Sequence, residues 1–272
     1  MTKNVKTPLS YAGGKSRFLK QLDENTPNLE NINNFYDLFL GGGSFAIYIT
    51  KKYPHLNIYV NDINSKLINF WQVLQNQNDD LVKALIYIKN NYDRFFVKKL
   101  IKDLRNNEIE NHFNQAVAYY LANKCSFAGT TESGGFSNYN YENKFNIKNI
   151  KKLTIINRHI QKWNITSVDY KNIDIKKNSF VYLDPPYNNK AKLYGKNGDL
   201  HKNFDFKEFV KFTKNLDEKV LISFNNNNLL DYYNSWIINK YDHTYLMQSN
   251  KKYLKNQEKR KEVVIKNYES RY

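Results

Sequence analysis

Ser179-Phe180-Val181-Tyr182-Leu183-Asp184-Pro185-Pro186-Tyr187-Asn188 is the stretch on which the reading of this chain turns. Phe180 to Leu183 is a short apolar run of the kind that forms a buried strand, and it ends abruptly. Neither proline can donate a backbone hydrogen bond, and each drives the residue before it out of the helical region, so the strand must stop at Asp184. The stop presents a carboxylate, a carbonyl and an aromatic ring together. Carboxylate and proline carbonyl can accept both protons of an amino group, and the Tyr187 ring can lie against the flat heterocycle that bears it. That equipment suits attack by a nucleobase amine. The plain alternative is a proline-capped strand end with a solvated aspartate and a half-buried tyrosine.

Upstream lies a second punctuated strand. Asn34 to Leu40 is apolar and aromatic with Asp37 inside it, Gly41-Gly42-Gly43-Ser44 follows at once, and Phe45 to Lys52 is a helical run. Strand, glycine turn and helix make the first βα unit of an open α/β sheet, the usual cofactor corner of that architecture. Three glycines let the backbone turn tightly and approach a ligand closely. A second strand, Leu56 to Val60, ends in Asn61-Asp62-Ile63-Asn64 before a helix from Ser65 to Leu74. Asp62 thus stands roughly 20 residues after the glycines, where such sheets hold ribose hydroxyls. The turn lacks the last glycine of a dinucleotide site. Gly14-Lys15-Ser16 looks like the tail of a phosphate loop, but Leu9 stands where its first glycine belongs and no apolar strand precedes it. Leu9 to Lys15 instead reads as a glycine turn opening a helix from Ser16 to Leu22, with Ser16 as its cap.

A chain of 272 residues can bury a proper core and reads as one catalytic body with an insertion. Forty-two Lys and Arg against 26 Asp and Glu leave a net charge of +16, which favours a polyanionic partner such as DNA or RNA. Codon bias toward Lys, Asn, Ile and Tyr accounts for part of it, yet Asp and Glu have not risen in step. Cys125 is the single cysteine, which excludes an internal disulfide and a thiolate zinc cluster. The five histidines include no helical metal pair. No apolar run approaches a membrane span or a secretory signal, so a cytoplasmic, nucleoid-associated protein is expected.

From Asp79 to about Lys162 the sequence turns mostly helical, with apolar spacing at Leu81 to Ile88 and His112 to Ala122. Asn123 to Phe145 is polar and rich in glycine, serine and asparagine, with Phe127, Phe136, Tyr139 and Tyr141 interleaved. Such a loop suits contact with bases, or is a plain surface hairpin. Strands resume at Ile165 to Val168, followed by Asp169-Tyr170, and further strands are expected at Lys219 to Phe224, Trp236 to Tyr241 and Lys261 to Lys266. No internal repeat is present.

Taken in order, Tyr11-Ala12-Gly13-Gly14-Lys15, the Asp37 to Ser44 turn, Asn61-Asp62-Ile63-Asn64 and Asp184-Pro185-Pro186-Tyr187 resemble the DNA adenine methyltransferases of the Dam-like (D12) class. The resemblance spans nearly the whole chain. It implies an α/β fold, the Rossmann-like sheet of S-adenosylmethionine-dependent methyltransferases, with residues 1–75 and 163–272 as catalytic domain and 76–162 as a mostly helical target-recognition insertion. Carried over residue by residue, it places Tyr11, Lys15, Asp37, Phe39, Gly41, Gly43, Ser44, Asp62, Asp169 and Asp184 around S-adenosylmethionine. Asp62 would bind the ribose hydroxyls and Asp169 the cofactor adenine. Tyr11 stands where tryptophan is more familiar, and Leu38 replaces the usual proline. Lys259 to Tyr268 resembles the closing strand.

Asp184, Pro185, Pro186 and Tyr187 are the implied catalytic residues, acting on an adenine flipped out of duplex DNA. Lys124, Ser126, Thr130, Ser133 and Tyr139 in the insertion, with Lys192, Lys196 and Lys202 in the loop after the catalytic motif, are the candidate nucleic-acid contacts. The insertion lacks the arginine and Phe-Asn-Val-Pro stretch of members that read GATC, so that site is not carried over. A restriction endonuclease acting on the same site is a partner the resemblance leaves open, as is action as a monomer or weak dimer. The nearest alternatives are methylation of the cytosine amino group, which Asp rather than Ser at position 184 disfavours, an RNA target, and a non-catalytic DNA-binding homologue, which intact Lys15, Asp62, Asp184 and Tyr187 disfavour.

Overall fold

A computed structural model describes residues 7–11, 13–186, 204–224, 227–243 and 260–269. Among them a seven-stranded sheet organises the chain: β1 (Asn34–Asp37), β2 (Asn57–Asn61), β3 (Trp163–Thr166), β4 (Ser179–Leu183), β5 (Lys219–Phe224), β6 (Ile237–His243) and β7 (Arg260–Lys266). The strand order is β3-β2-β1-β4-β5-β7-β6. The first five run parallel. β7 lies antiparallel between β5 and β6. This is the open, mostly parallel α/β sheet expected from the sequence.

Every residue of β1 and β4 is buried, as a parallel strand covered on both faces requires. On one face Phe35, Phe180 and Tyr182 meet Phe45 of α2 (Ser44–Lys52), with the Phe45 and Tyr182 rings 4.5 Å apart. On the other, Val181, Leu183, Val220 and Ile222 pack with Phe209. The chain leaves β1 toward β2 and leaves β4 toward β5, so the topological switch point falls between β1 and β4. Ligands of open α/β sheets bind beyond the carboxyl ends of such strands. Asp37 ends β1 there, and Asp184 follows β4.

The first helix differs from expectation. Lys15–Arg17 is a single 3-10 turn, and α1 (Leu19–Asn25) starts behind Phe18 with no side-chain cap, so Ser16 caps nothing. α3 (Ser65–Asn76) is capped by Asn64, whose side chain accepts the Leu67 amide. Five helices follow: α4 (Asn78–Asn91), α5 (Arg94–Arg105), α6 (His112–Cys125), α7 (Asn138–Asn143) and α8 (Ile147–Ile160). Asp93 and Asn146 cap α5 and α8, two helices not singled out from the sequence. These helices share a continuous core with the sheet, since Ala116, Leu121, Ile150 and Ile160 belong to the same buried cluster as Phe35 and Ile58. α9 (Phe206–Lys214) is capped by Asp205.

Candidate active site

A cavity of about 400 Å³ opens at the switch point. It is lined both by Asp184, Pro185 and Pro186 and by the Gly41–Gly43 turn, so the proline-terminated strand and the triple glycine face one space. Tyr11, Lys15, Asp37, Phe39, Ser44, Asp62 and Asp169 line it too. Every cofactor residue expected from the sequence is therefore gathered around one volume, within the range of small-molecule sites. Tyr187 lies outside the described residues.

The Asp184 carboxylate is held from behind. Lys15 Nζ sits 2.7 Å from both of its oxygens and donates also to the Gly13 carbonyl at 3.2 Å. Ser223 on β5 donates to Oδ1 at 3.0 Å, and the Tyr182 hydroxyl backs Ser223 at 2.9 Å. A second carboxylate, Glu262 of β7, approaches the same ammonium at 3.4 Å. Lys15 is only 3% exposed, whereas 21% of the Asp184 side chain stays accessible. Burial lifts the Asp184 carboxyl above its ordinary range, against the opposing pull of Lys15. The sequence points to Lys15 and Asp184 separately but to neither their contact nor Ser223 and Glu262. A charge in the inward run Glu262-Val263-Val264-Ile265 is the signal it offers.

The glycine turn is shaped by its neighbours. Gly41 and Gly43 both take positive φ, at 47° and 68°. A Cβ on Gly41 would come within 2.7 Å of the Tyr11 ring, and one on Gly43 within 2.8 Å of the Trp71 ring. Trp71, fully buried on α3, also donates from Nε1 to the Gly41 carbonyl at 3.2 Å. Asp62 accepts the Gly41 amide, and burial raises its carboxyl to about 6. Asp37 is raised well above the usual carboxylate range by burial and then by the charge of Asp184.

Beyond β3, Asp169 caps a short 3-10 turn through the Lys171 amide at 3.1 Å. The Lys171 ammonium joins Asp169 at 3.3 Å to Glu208 of α9 at 2.8 Å. Beside them Phe39, Tyr170 and Phe204 form an aromatic wall with ring centroids 5.3 to 5.9 Å apart.

The expected nucleic-acid contacts divide. Thr130 is partly exposed, Ser133 is exposed and Tyr139 is 72% exposed. Lys124 and Ser126, by contrast, face inward. Burial lowers the Lys124 ammonium to about 8, with Lys144 and Lys152 adding to the effect, and its Nζ lies over the Tyr120 ring at 5.4 Å. Ser126 is fully buried and accepts from Arg105 Nη2 at 2.9 Å. Arg105 also donates to the Thr131 and Gly134 carbonyls, so it shapes the loop from within. Lys192, Lys196 and Lys202 lie outside the described residues.

The loop is moored to the cavity as well. Asn123 accepts the Ser10 amide at 2.8 Å and donates to its carbonyl at 2.9 Å, one residue before Tyr11. Glu132 accepts from Asn64 Nδ2 at 3.1 Å, two residues past Asp62. No group of His, Cys, Asp and Glu able to hold a metal occurs among the described residues, nor does a helix long and apolar enough to cross a membrane.

The model of the D12 class N6 adenine-specific DNA methyltransferase family matches residues 11–260. The type II methyltransferase M.MjaIII of Methanocaldococcus jannaschii is 26% identical over 242 residues, covering 80% of this chain and 78% of the relative. M1.LlaDCHI, a type II methyltransferase of Lactococcus lactis subsp. cremoris, is 23% identical over 233 residues, covering 79% and 78%. The type II methyltransferase M.CviBI of Paramecium bursaria Chlorella virus NC1A is 24% identical over 281 residues, covering 97% and 100%.

Proposed function

The chain belongs to the D12 class of N6 adenine-specific DNA methyltransferases, and we propose that S-adenosylmethionine is its methyl donor, held in the switch-point cavity. The residues present fit such a ligand. Asp62 offers a carboxylate to ribose hydroxyls, Phe39 and Tyr170 offer aromatic surface to an adenine, and the acids around the glycine turn suit a cationic sulfonium and amino group. S-adenosylmethionine supplies an activated methyl group on that sulfonium.

The chain's own residues prepare the acceptor. Adenine N6 is a poor nucleophile because its lone pair is delocalised into the ring. The Asp184 carboxylate and the Pro185 carbonyl accept hydrogen bonds from its two N–H groups, which draws the nitrogen toward tetrahedral geometry and stabilises the positive charge that develops on it. Tyr187 stacks on the base. Transfer is direct, with Asp184 as proton acceptor and no covalent enzyme intermediate.

A base inside a duplex cannot reach a carboxylate backed by a buried lysine at a sheet end, so the target adenine rotates out of the helix. Residues 76–162 serve as the target-recognition insertion, with Thr130, Ser133 and Tyr139 toward the DNA and Lys192, Lys196 and Lys202 on its phosphates. A restriction endonuclease acting on the same site, and a monomeric or weakly dimeric enzyme on cytoplasmic DNA, complete the reading.

The observation that carries it is the single cavity shared by Asp184-Pro185-Pro186 and the glycine turn. Incubation with methyl-labelled S-adenosylmethionine and duplex DNA, followed by digestion to nucleosides, should place the label in N6-methyladenine. Asp184→Asn should lower that incorporation by about 100-fold or more while DNA retention on a filter stays near wild type. Label in N4-methylcytosine, or substantial turnover by the variant, would overturn the assignment.

A further inference from the structure

We propose that the outer face of α5, formed by Arg94, Phe95, Lys98 and Lys102, is a docking surface for the sugar-phosphate backbone of duplex DNA. The proposal rests on the reading of residues 76–162 as the part of the enzyme that meets DNA.

Three features of α5 work against the helix on its own. Val97, Ile101 and Leu104 bury one side of it, which turns Phe95, Lys98 and Lys102 outward, and Phe95 stays 62% exposed. Arg94 follows the Asp93 cap in a first turn that holds no acidic residue, where a cation opposes the helix dipole. Arg94, Lys98 and Lys102 are all exposed and recur every fourth residue, so like charges follow one another about 6 Å apart along the axis and repel. Each feature turns favourable against a polyanion with less polar surface between its charges. The DNA backbone, with sugars between its phosphates, has that make-up.

The basic and aromatic groups also interleave in space. Arg94 Cζ lies 5.2 Å and Lys98 Nζ 5.7 Å from the centre of the Phe95 ring, and Lys98 Nζ lies 5.0 Å from that of Phe136. Phe136 belongs to the loop that carries Thr130 and Ser133. Arg105, on the last turn of α5, donates to the Thr131 and Gly134 carbonyls of the same loop. The loop therefore runs alongside the helix, and DNA resting on the loop has the α5 face as its neighbour. Five of the six exposed aromatic rings among the described residues, Tyr87, Tyr92, Phe95, Phe127 and Tyr139, belong to residues 76–162. Such a concentration marks an interaction face rather than the ordinary scatter of surface apolar groups.

The test is equilibrium binding of the full chain to labelled duplex DNA, read by fluorescence anisotropy across a range of salt concentrations. Wild type is compared with Arg94→Gln/Lys98→Gln/Lys102→Gln, with Phe95→Ala, and with the control Lys51→Gln/Lys177→Gln/Lys219→Gln, which removes the same charge from exposed positions outside the insertion. The α5 triple variant should raise Kd by about tenfold or more and lower the slope of log Kd against log salt by about 2 to 3, since each lost phosphate contact removes about 0.9. Its kcat at saturating DNA should stay within about twofold of wild type while KM for DNA rises. Phe95→Ala should raise Kd by about threefold or more with the slope within about 0.5 of wild type, because an apolar contact releases no counterions. The control should keep Kd within about threefold and the slope within about 0.5 of wild type.

An α5 triple variant that binds as wild type does would overturn the proposal and leave this face to a protein partner. A control that loses as much as the α5 variant would overturn it in favour of net charge alone. Should the triple variant fail to fold, Lys98→Gln and Lys102→Gln decide singly: each should lower the slope by about 0.9, and unchanged slopes refute the contact. Failure of wild type to label adenine, with α5 still governing DNA binding, would strike the enzymatic reading and leave this surface standing.

Discussion

Asp62 accepts the Gly41 amide at 2.9 Å through Oδ2, while its Oδ1 takes the Asn64 amide at 3.0 Å. One carboxylate at the end of β2 thus braces the glycine turn that leaves β1. An ionised carboxylate has about four acceptor positions, so two remain for ribose hydroxyls. On the proposed ribose role, the brace and the ligand contact would reside in the same side chain. Asp62 is therefore both a wall of the cavity and a reason for its shape.

Asp62→Ala should weaken S-adenosylmethionine binding by roughly 10-fold to 100-fold, the loss expected for charge-assisted hydrogen bonds together with a loosened turn. Calorimetry with wild type and variant reads this directly. Unchanged affinity would remove Asp62 from the ribose role and leave it only the brace.

Burial raises the Asp62 carboxyl from its ordinary 3.8 to about 6, so the folded chain holds a proton in that window that the unfolded chain has released. Stability from this group is present at low pH and is lost as pH rises through about 6. Its size is about 3 kcal/mol at most. Thermal unfolding of the ligand-free protein should therefore show a midpoint that changes less favourably with rising pH, between about pH 4 and about pH 6, in wild type than in Asp62→Asn. Parallel curves for the two proteins would show that Asp62 does not titrate there.

Much of this site is legible in the sequence because its parts are local. Asp184-Pro185-Pro186 declares a strand end through proline stereochemistry, and Gly41-Gly42-Gly43 declares a turn after an apolar strand. The strands stand out because parallel strands buried on both faces read as continuous apolar runs. What stays hidden depends on contacts across the chain. Nothing local tells that Lys15 meets Asp184, 169 positions away, or that Trp71 fills the space a Cβ on Gly43 would occupy. Lys124 and Ser126 look like surface residues because they stand in a polar stretch. Each instead faces inward, Lys124 as the penultimate residue of the deeply buried α6 and Ser126 just beyond its end against Arg105. Helix α5 escapes a sequence reading although Asp93 caps it through two amides, because its Lys-rich face masks the Val97, Ile101 and Leu104 stripe.

Gly129 presses the loop that follows α6 against Ser10, the residue before cavity-lining Tyr11. Its φ is 73°, and a Cβ there would stand 2.2 Å from the Ser10 carbonyl oxygen. Asn123 holds that same carbonyl and the Ser10 amide, and donates also to Thr131 Oγ1 at 3.1 Å, so the loop and the segment carrying Tyr11 share one buried anchor. Gly129→Ala combines a disfavoured backbone conformation with a backbone clash and should cost about 1–3 kcal/mol of stability. The loop should lift, and the enzyme's kcat/KM for duplex DNA should fall by about tenfold or more, while calorimetry with S-adenosylmethionine changes by about threefold or less, since Asp62 and the glycine turn stay in place. Methylation kinetics and thermal unfolding of the purified variant check both parts. A variant as stable and as active on DNA as wild type would mean that the loop does not depend on this contact for its position beside Ser10.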